Sequence, residues 1–217
     1  KGFFDNVKHK WLMEFLRHDI QDEAFLRYVN RFLISGYMED MKIHESDKGT
    51  PQGGLISPIL ANVYLHYVLD LFFEKAIKPN LKGEAHMVRY ADDFVFMFQY
   101  EEEAIKVYQI IKERLAKFGL ELEEDKTRIL PFGRFKGTNE TFSFLGFTHY
   151  NGKTRTGKYT VGHKMNKKKR KLKQKAITQW IKEHRAIKFK DMIKTLNKNL
   201  IFMYSYYCIN GIFNELF

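Results

Sequence analysis

Two adjacent carboxylates, Asp92 and Asp93, are the side chains whose type and setting most clearly indicate chemistry in this chain. Apolar, β-prone runs at residues 87–89 and 94–98 lie on either side of them, which predicts a hairpin with an acidic tip. A rigid tip of this kind can hold divalent metal ions. Two ions about 3.5–4 Å apart stabilise the attacking and leaving oxygens of a phosphoryl transfer. Asp is also a common turn residue, so the pair alone leaves an ordinary turn as the alternative.

Helices before and after the hairpin would position it. One helix is predicted from about residue 58 to about residue 76, with Ser57 as its N-cap and Pro58 in its first turn. An amphipathic helix is predicted from about residue 102 to residue 118, ending at Gly119. Two earlier helices should turn apolar residues inward, the first of them after a cap at Asp5 or Asn6. These inward residues are Val7, Trp11, Leu12 and Phe15, then Phe25, Val29, Phe32 and Leu33.

Strand-like runs follow the second of these helices. Short strands are predicted at residues 120–122 and 128–130, and a longer one at residues 142–150 with Gly146 in its middle. A glycine in a strand suggests a bulge or a close backbone contact. Helices that alternate with hairpin strands predict an α+β domain, with helices on one face of an antiparallel sheet. The end of the chain is predicted to be all-helical, with two helices. One carries Leu172, Ala176, Trp180 and Ile181, and the other carries Phe189, Met192, Ile193, Leu196 and Leu200.

Charge divides the chain into two parts. The formal net charge is +11, and residues 151–217 hold 17 Lys/Arg against 3 Asp/Glu, whereas residues 1–150 hold 20 against 23. This excess indicates a polyanionic partner, and phosphate contacts are expected along the basic run from residue 164 to residue 175. A solvated helix face is the alternative. The side chains expected to contact the phosphates of a nucleic acid are Lys164, Lys167, Lys168, Lys169, Arg170, Lys171 and Lys173.

Other features of the composition exclude several classes of protein. A single cysteine rules out an internal disulfide and a cysteine-rich zinc site, and it fits a reducing compartment. No apolar run reaches the roughly 18 residues that a membrane span needs. We therefore expect a cytoplasmic protein associated with nucleic acid, without a membrane partner.

A series of motifs in order along the chain resembles those of group II intron reverse transcriptases, also called intron maturases. KGFFDNV at residues 1–7 is similar to the end of the family's first palm motif. GTPQGG at residues 49–54 and SPILAN at residues 57–62 resemble the template-primer loop and its helix, and YADD at residues 90–93 resembles the catalytic motif. Three further matches are Gly119-Leu120 with Lys126-Thr127, FLGF at residues 144–147, and Leu196-Asn197-Lys198 before an aromatic run.

The resemblance implies a right-hand polymerase. Residues 1–155 would form the palm, with part of the fingers and palm helices, and residues 156–217 a basic helical thumb, part of the maturase domain X. The implied activity is RNA-directed DNA synthesis with two Mg²⁺ ions. By the resemblance, the family's upstream metal-binding Asp would lie two residues before Lys1, and the upstream part of the fingers would also lie before it. A fragment of this extent is expected to bind catalytic metal poorly and to be inactive alone.

The resemblance also implies roles for individual residues. Asp92 would be the main metal ligand and catalytic residue, with Asp93 in support. Lys126 would stabilise the leaving pyrophosphate or donate a proton to it. Phe4 would exclude a ribose 2′-OH, although a core aromatic is the alternative. The other implied contacts are Pro51, Gln52, Gly53 and Gly54 around the nucleotide and Phe144, Leu145 and Gly146 at the primer end.

The implied partners are intron RNA or another RNA template, a DNA primer or target, and deoxynucleoside triphosphates, with a homodimer as a further possibility. Two other functions stay open. One is an RNA-binding splicing factor without polymerase activity. The other is a non-intron bacterial reverse transcriptase, from a retron or a defence system. Tyr204, Tyr206 and Tyr207 could stack on unpaired bases or fill the core of the thumb.

Overall fold

The computed structural model describes residues 3–34, 37–39, 42–44, 49 and 55–207. Side chains are described for these residues except Phe4 and those of the two short strands at 37–39 and 42–44. The chain divides into two compact units, residues 1–129 and residues 130–217. Antiparallel strands and helices occur in both units, which confirms the mixed α+β class. None of the helices in the described part of the chain is long and apolar enough to cross a bilayer.

The first unit begins with helices α1 (Phe3–Asn6), α2 (His9–Asp19) and α3 (Glu23–Ile34). The predicted cap of α2 was wrong, because the helix begins after Lys8 and Asp5 and Asn6 belong to α1. In α3, the carboxylate of Asp22 accepts hydrogen bonds from the amides of Ala24 and Phe25, at 2.8 and 3.1 Å. The resulting helical phase buries Leu26, Val29 and Leu33 and leaves Phe25 45% exposed, so Phe25 does not point inward as predicted.

Strands β1 (Tyr37–Glu39) and β2 (Lys42–His44) form an antiparallel pair. Helix α4 (Ser57–Leu65) then continues through π-helical turns His66–Asp70 and Phe73–Ile77 to a 3₁₀ turn, Lys78–Asn80. The predicted helix is confirmed and is longer than expected. Its N-cap is Ile56, because Ser57 is already helical and is buried. The most buried side chains of this run are Tyr64, Val68, Leu69 and Phe73.

The predicted hairpin is confirmed as β3 (Ala85–Tyr90) and β4 (Asp93–Phe98), paired in register from Ala85 opposite Phe98 to Tyr90 opposite Asp93. Met87, Phe94, Phe96 and Phe98 pack against the core of the unit. Because strand side chains alternate between faces, Arg89 lies on the same inward face as Met87. The acidic tip is therefore anchored by the apolar inner face of the hairpin.

Helix α5 (Glu101–Lys117) buries Val107, Ile111 and Leu115 and is followed by Gly119, whose φ is +78°. Residues 120–122 and 128–130 are irregular, so both predicted strands were wrong. The backbone bonds locally instead. The amide of Leu120 donates to the carbonyl of Leu115 at 2.9 Å, and the amide of Lys126 donates to that of Glu123 at 3.0 Å.

The second unit contains a three-stranded antiparallel sheet of β5 (Thr141–Phe144), β6 (Phe147–Lys153) and β7 (Tyr159–Met165), followed by α6 (Lys167–Glu183) and α7 (Phe189–Tyr207). The two predicted helices are confirmed. The prediction of an all-helical end was wrong for residues 159–165, which pair with β6. The single strand predicted at 142–150 is a hairpin, because Leu145 and Gly146 have φ values of 51° and 86° and reverse the chain.

Candidate functional site

The tip of the β3–β4 hairpin presents both predicted catalytic carboxylates to solvent. Ala91 and Asp92 form its two-residue turn, and Asp93 opposite Tyr90 closes the strand pair. Ala91 has a φ of 53°, a left-handed conformation that a residue with a Cβ rarely adopts. Strained backbone of this kind persists only where its surroundings hold it, and it is concentrated at functional sites. The structure therefore contains a constrained turn with two exposed acidic groups.

Arg89 holds this turn against the long helix. Its Nε and Nη2 donate to the two carboxylate oxygens of Asp70 at 2.7 and 2.6 Å, and its side chain is 12% exposed. Its Nη1 donates to the side-chain oxygen of Asn62 at 2.8 Å and to the backbone carbonyl of Ala91 at 2.9 Å. A two-point pairing of a guanidinium with a carboxylate fixes direction as well as distance. The position of the turn is thus tied to two residues of the α4 run.

Sequence reasoning missed this group of three side chains. Asn62 belongs to the SPILAN motif, whereas Asp70 and Arg89 lie outside the motifs of the family. One signal was present in the sequence, since a charged residue on the inward face of an apolar strand needs a partner. The sequence did not indicate which residue is that partner, because Arg89 and Asp70 are 19 residues apart.

Asp92 and Asp93 have the right chemistry for Mg²⁺, which prefers hard oxygen ligands and usually keeps several waters. Both carboxylates are exposed, so phosphate oxygens and water can reach an ion that they bind. Within the described residues, no group of three or more His, Cys, Asp or Glu side chains is arranged to hold a metal ion. The pair therefore fits part of a ligand set, with the remaining positions supplied by other oxygens.

Lys126 lies in the polar turn after α5 and is exposed. Its ammonium donates to Glu123 at 2.9 Å. This hydrogen bond and the charge of Glu123 raise the pKa of Lys126, and smaller contributions come from Asp93 and Asp125. The ammonium accordingly stays protonated at neutral pH and feels the charge of the acidic tip. It is suited to stabilise an anion more than to accept a proton.

Two groups of predicted site residues cannot be placed. Phe4 lies in α1, but its side chain is outside the described residues. Pro51, Gln52, Gly53 and Gly54, the predicted nucleotide-binding loop, also lie outside them. Their roles stay predictions.

The predicted primer-grip residues lie at the turn between β5 and β6. Phe144 ends β5, and Leu145 and Gly146 form the turn. The hydroxyl of Tyr206 donates to the carbonyl of Leu145 at 2.9 Å, and the amide of Asn166 donates to that of Gly146 at 3.0 Å. A Cβ at Gly146 would stand 3.1 Å from the hydroxyl of Tyr207.

The aromatic end of α7 therefore supports the turn. Tyr207 is 4% exposed and its ring packs on that of Phe147, with centroids 5.2 Å apart. Tyr206 is 45% exposed and stacks on Phe147 at 5.6 Å. The core interpretation is confirmed for Tyr207, while Tyr206 combines a core contact with an exposed edge.

The predicted RNA-binding residues occupy β7 and the first turns of α6. Asn166 caps α6 by accepting from the amides of Lys168 and Lys169 at 3.0 and 3.3 Å. Lys164 lies 5.1 Å from the ring centre of Tyr150, and Lys173 lies 5.1 Å from that of Tyr207. The residues directed to solvent are Lys167, Lys168, Lys169 and Lys171, while Arg170 is half-buried.

The charge at the start of α6 opposes its own helix. The first five residues of α6, 167–171, are all basic, although the N-terminal end of a helix dipole is positive. No carboxylate of the described residues pairs with them, since the ion pairs found there all lie in the first unit. An unbalanced positive surface of this kind is suited to a polyanion.

Comparison with known proteins agrees with these features. Residues 1–149 match the model of the family "Reverse transcriptase (RNA-dependent DNA polymerase)". Over 72 residues the chain is 44% identical to the group II intron-encoded protein LtrA of Lactococcus lactis. The aligned segment covers 33% of this chain and 12% of LtrA. It is also 40% identical over 84 residues to an uncharacterized 91 kDa protein in the cob intron of Schizosaccharomyces pombe, 39% of this chain and 10% of that protein.

A longer match at lower identity extends into the second unit. The chain is 25% identical over 190 residues to protein YkfC of Escherichia coli, which is 74% of this chain and 48% of YkfC. The matched segment thus spans about a tenth of the intron-encoded relatives and about half of YkfC. The family model matches most of the length of this chain and includes the YADD hairpin, and parts of the chain are similar to intron-encoded proteins. The chain therefore belongs to the reverse transcriptase family and resembles its group II intron members.

Proposed function

We propose that this chain contributes the palm and part of the thumb of a group II intron-type reverse transcriptase. In this proposal residues 1–155 belong to the palm and residues 156–217 to a basic thumb related to the maturase domain X. The reaction is addition of a deoxynucleotide to a primer 3′-OH on an RNA template. The observation that carries the proposal is the strained, exposed Asp92-Asp93 tip, which Arg89 holds on the long helix.

The roles of the residues follow from their positions. Asp92 and Asp93 supply carboxylate oxygens for two divalent ions, with Asp92 as the principal ligand. When bound, Mg²⁺ offsets the negative charge of the triphosphate and of the oxygens that attack and leave. Arg89 keeps the tip in place without touching the substrate. Lys126, protonated beside Glu123, stabilises the developing charge on pyrophosphate.

Further substrate contacts are proposed for residues of each unit separately. Phe4 selects against a 2′-OH, and Pro51, Gln52, Gly53 and Gly54 line the incoming nucleotide. Phe144, Leu145 and Gly146 hold the primer end through the backbone. This last role is supported by the turn itself, since its two carbonyls already serve as anchors and the turn has little freedom to move.

Primer extension tests the proposal. The complete reading frame that contains these 217 residues would be assayed with Mg²⁺ on an RNA template, next to its Asp92→Asn and Glu113→Gln variants. Glu113 is an exposed carboxylate on α5, so its variant controls for loss of one negative charge. We expect DNA from the parent and from Glu113→Gln, and a loss of at least a hundredfold in Asp92→Asn with RNA binding retained. DNA synthesis by Asp92→Asn at the parent rate would refute the site.

A second function, intron RNA binding in splicing, is favoured by the unpaired basic start of α6. Structured RNA is recognised largely through phosphates and shape, which a rigid basic helix can contact. The same protein would carry out both roles, with intron RNA, target DNA and nucleoside triphosphates as partners and a homodimer as a further proposal. Splicing without any DNA product would favour a maturase that has lost its polymerase activity. DNA product without intron RNA binding would favour a non-intron enzyme.

A further inference from the structure

A closed loop of the second unit, residues 131–138, is held by more bonds than a surface connection needs. The hydroxyl of Thr138 donates to the carbonyl of Pro131 at 2.8 Å and closes its neck. Asn151 of β6 braces it from one side. The amide of Gly133 donates to the side-chain oxygen of Asn151 at 3.2 Å, and the side-chain nitrogen of Asn151 donates to the carbonyl of Thr138 at 3.0 Å.

The brace is itself fixed by the sheet. The hydroxyl of Tyr159, on β7, donates to the same oxygen of Asn151 at 2.9 Å. The side-chain oxygen and nitrogen of Asn151 therefore both hydrogen-bond to the 131–138 loop and hold it in one conformation. A loop ordered in this way has already lost the freedom that binding would otherwise cost.

The 131–138 loop presents an aromatic ring between two cations. Phe135 is 93% exposed, whereas the neighbouring Phe132 packs against Phe142 with ring centroids 5.1 Å apart. Arg134 and Lys136 flank Phe135, and the guanidinium carbon of Arg134 lies 5.7 Å from the centre of its ring. Single exposed apolar residues are ordinary, but this one stands at the tip of a braced loop with a basic residue on each side.

Further positive charge lies in the turn that follows β6. Asn151 is paired with Val161 on β7, and the strands continue from there to a turn with Lys153, Arg155 and Lys158. Residues 131–165 contain six Lys/Arg and a single acidic residue, Glu140. The 131–138 loop therefore belongs to a segment of one charge sign, which attracts an anion and repels a basic protein surface.

We propose that the 131–138 loop binds unpaired nucleotides, with Phe135 stacked on a base and Arg134 and Lys136 on the adjacent phosphates. Stacking on an aromatic side chain tolerates any base, and Arg adds a cation–π contribution. Charge complementarity decides against an apolar protein partner. The inference deepens the proposed function, because it assigns RNA contact to a site other than α6 and to single strands in particular.

Binding of labelled oligonucleotides tests the inference. The probes are an oligouridine of about 12 nucleotides, an oligodeoxythymidine of the same length, and an RNA duplex. The length of the single strands lies within the ~4–16 nucleotides typical of single-strand binding sites. Phe135→Ala should weaken binding of the oligouridine about tenfold and of the duplex less than about twofold. Phe135→Tyr, which keeps the ring, should bind as the parent does. The ratio between RNA and DNA shows which strand the 131–138 loop prefers.

Charge variants and a crosslink complete the design. Arg134→Gln with Lys136→Gln should lower the salt slope of oligouridine binding by about 1.4, and Lys106→Gln with Lys117→Gln, exposed on α5, should leave it unchanged. A photoreactive 5-iodouridine in the probe should crosslink to Phe135. Phe135→Ala with unchanged oligouridine affinity, or an equal loss on the duplex, overturns the proposal. Parent protein that binds but makes no DNA would instead refute the polymerase proposal and leave this one standing.

Discussion

At the scale of single residues, the arrangement around Arg89 decides how the catalytic tip is held. The guanidinium of Arg89 donates four hydrogen bonds: two to Asp70, one to Asn62 and one to the carbonyl of Ala91. Lys could not reproduce them, because its ammonium lacks the planar fork. The side chains of Asp92 and Asp93 make no comparable hydrogen bonds with the residues that the structure describes. Their position depends on the backbone of the turn, and the turn depends on Arg89.

Substitution of Arg89 should therefore affect stability and activity together. Arg89→Gln removes the guanidinium from half-buried Asp70 and leaves it the imidazole of His66 at 3.4 Å, and we expect the free energy of unfolding to fall by about 2–3 kcal/mol in urea titrations. DNA synthesis should fall about tenfold or more in kcat with little change in the KM for nucleotide, because the carboxylates are displaced and binding contacts remain. Arg89→Lys should recover part of the stability and little of the rate.

Arg17→Gln is the matched control. Arg17 is also paired with a carboxylate, Glu23 at 3.9 Å, but its side chain is 53% exposed. An exposed pair of this kind contributes under about 1 kcal/mol, so this variant should unfold and polymerise almost as the parent does. Equal effects of Arg17→Gln and Arg89→Gln would show that Arg89 has no special role at the tip.

At the scale of elements, the turn between β5 and β6 shows why a strand-like sequence became a hairpin. The run FSFLGFTHY is apolar and β-prone throughout, but Leu145 and Gly146 both adopt positive φ. Such a pair of conformations matches the twist of two antiparallel strands. The end of α7 and the cap of α6 then close on the turn, so one short turn connects the sheet to both helices of its unit.

Substitution of Gly146 should measure how tightly the end of α7 and the start of α6 pack against the turn. Gly146→Ala introduces a Cβ at a φ of +86° and places it 3.1 Å from the hydroxyl of Tyr207 and 3.3 Å from the ammonium of Lys169. Gly157→Ala is a matched control, since its φ is +80° and nothing lies within 4 Å of the added carbon. Both should lose about 1–2 kcal/mol from backbone strain. Gly146→Ala should lose about 1 kcal/mol more in thermal unfolding, from crowding against buried Tyr207.

Equal stability of the two glycine variants would contradict this prediction. If Gly146→Ala and Gly157→Ala unfold at the same temperature, Tyr207 and Lys169 yield freely and the turn is not rigidly supported. The primer-grip proposal would then lose its structural argument, although the turn could still contact a primer.

At the scale of the whole molecule, the excess of positive charge and the catalytic carboxylates lie in different parts of the sequence. The first 150 residues are close to neutral and contain the acidic tip, while the remainder has an excess of 14 positive charges. Two basic surfaces occur in the second unit, one at the start of α6 and one at the 131–138 loop. They differ in kind, because α6 offers cations alone and the 131–138 loop adds an exposed ring.

RNA affinity should consequently fall steeply with salt. Neutralising Lys167, Lys168, Lys169 and Arg170 to Gln should lower the slope of log affinity against log salt by about 3, measured on structured intron RNA. The control neutralises four exposed lysines of the first unit, Lys75, Lys82, Lys106 and Lys117, and should lower the slope by less than about 1. An unchanged slope in the α6 variant would remove this helix from the RNA interface.

The sequence alone determined the elements that depend on local pattern. The acidic hairpin and helices α4 to α7 were predicted because their apolar spacing and glycines act within a few residues, and the family resemblance followed from short motifs. The strands predicted at residues 120–122 and 128–130 failed for the complementary reason. A strand needs a partner, and there the amides bond to nearby carbonyls instead.

Only the tertiary structure decided which distant residues meet. The pairing of Arg89 with Asp70, the contact of Tyr206 with Leu145, and the brace of Asn151 on the 131–138 loop join residues 19, 61 and 13 to 18 positions apart. Such contacts form when packed elements bring side chains together, and no local spacing encodes them. The chemistry of the carboxylates could thus be read from the sequence, whereas the support that holds them in place is a product of the fold.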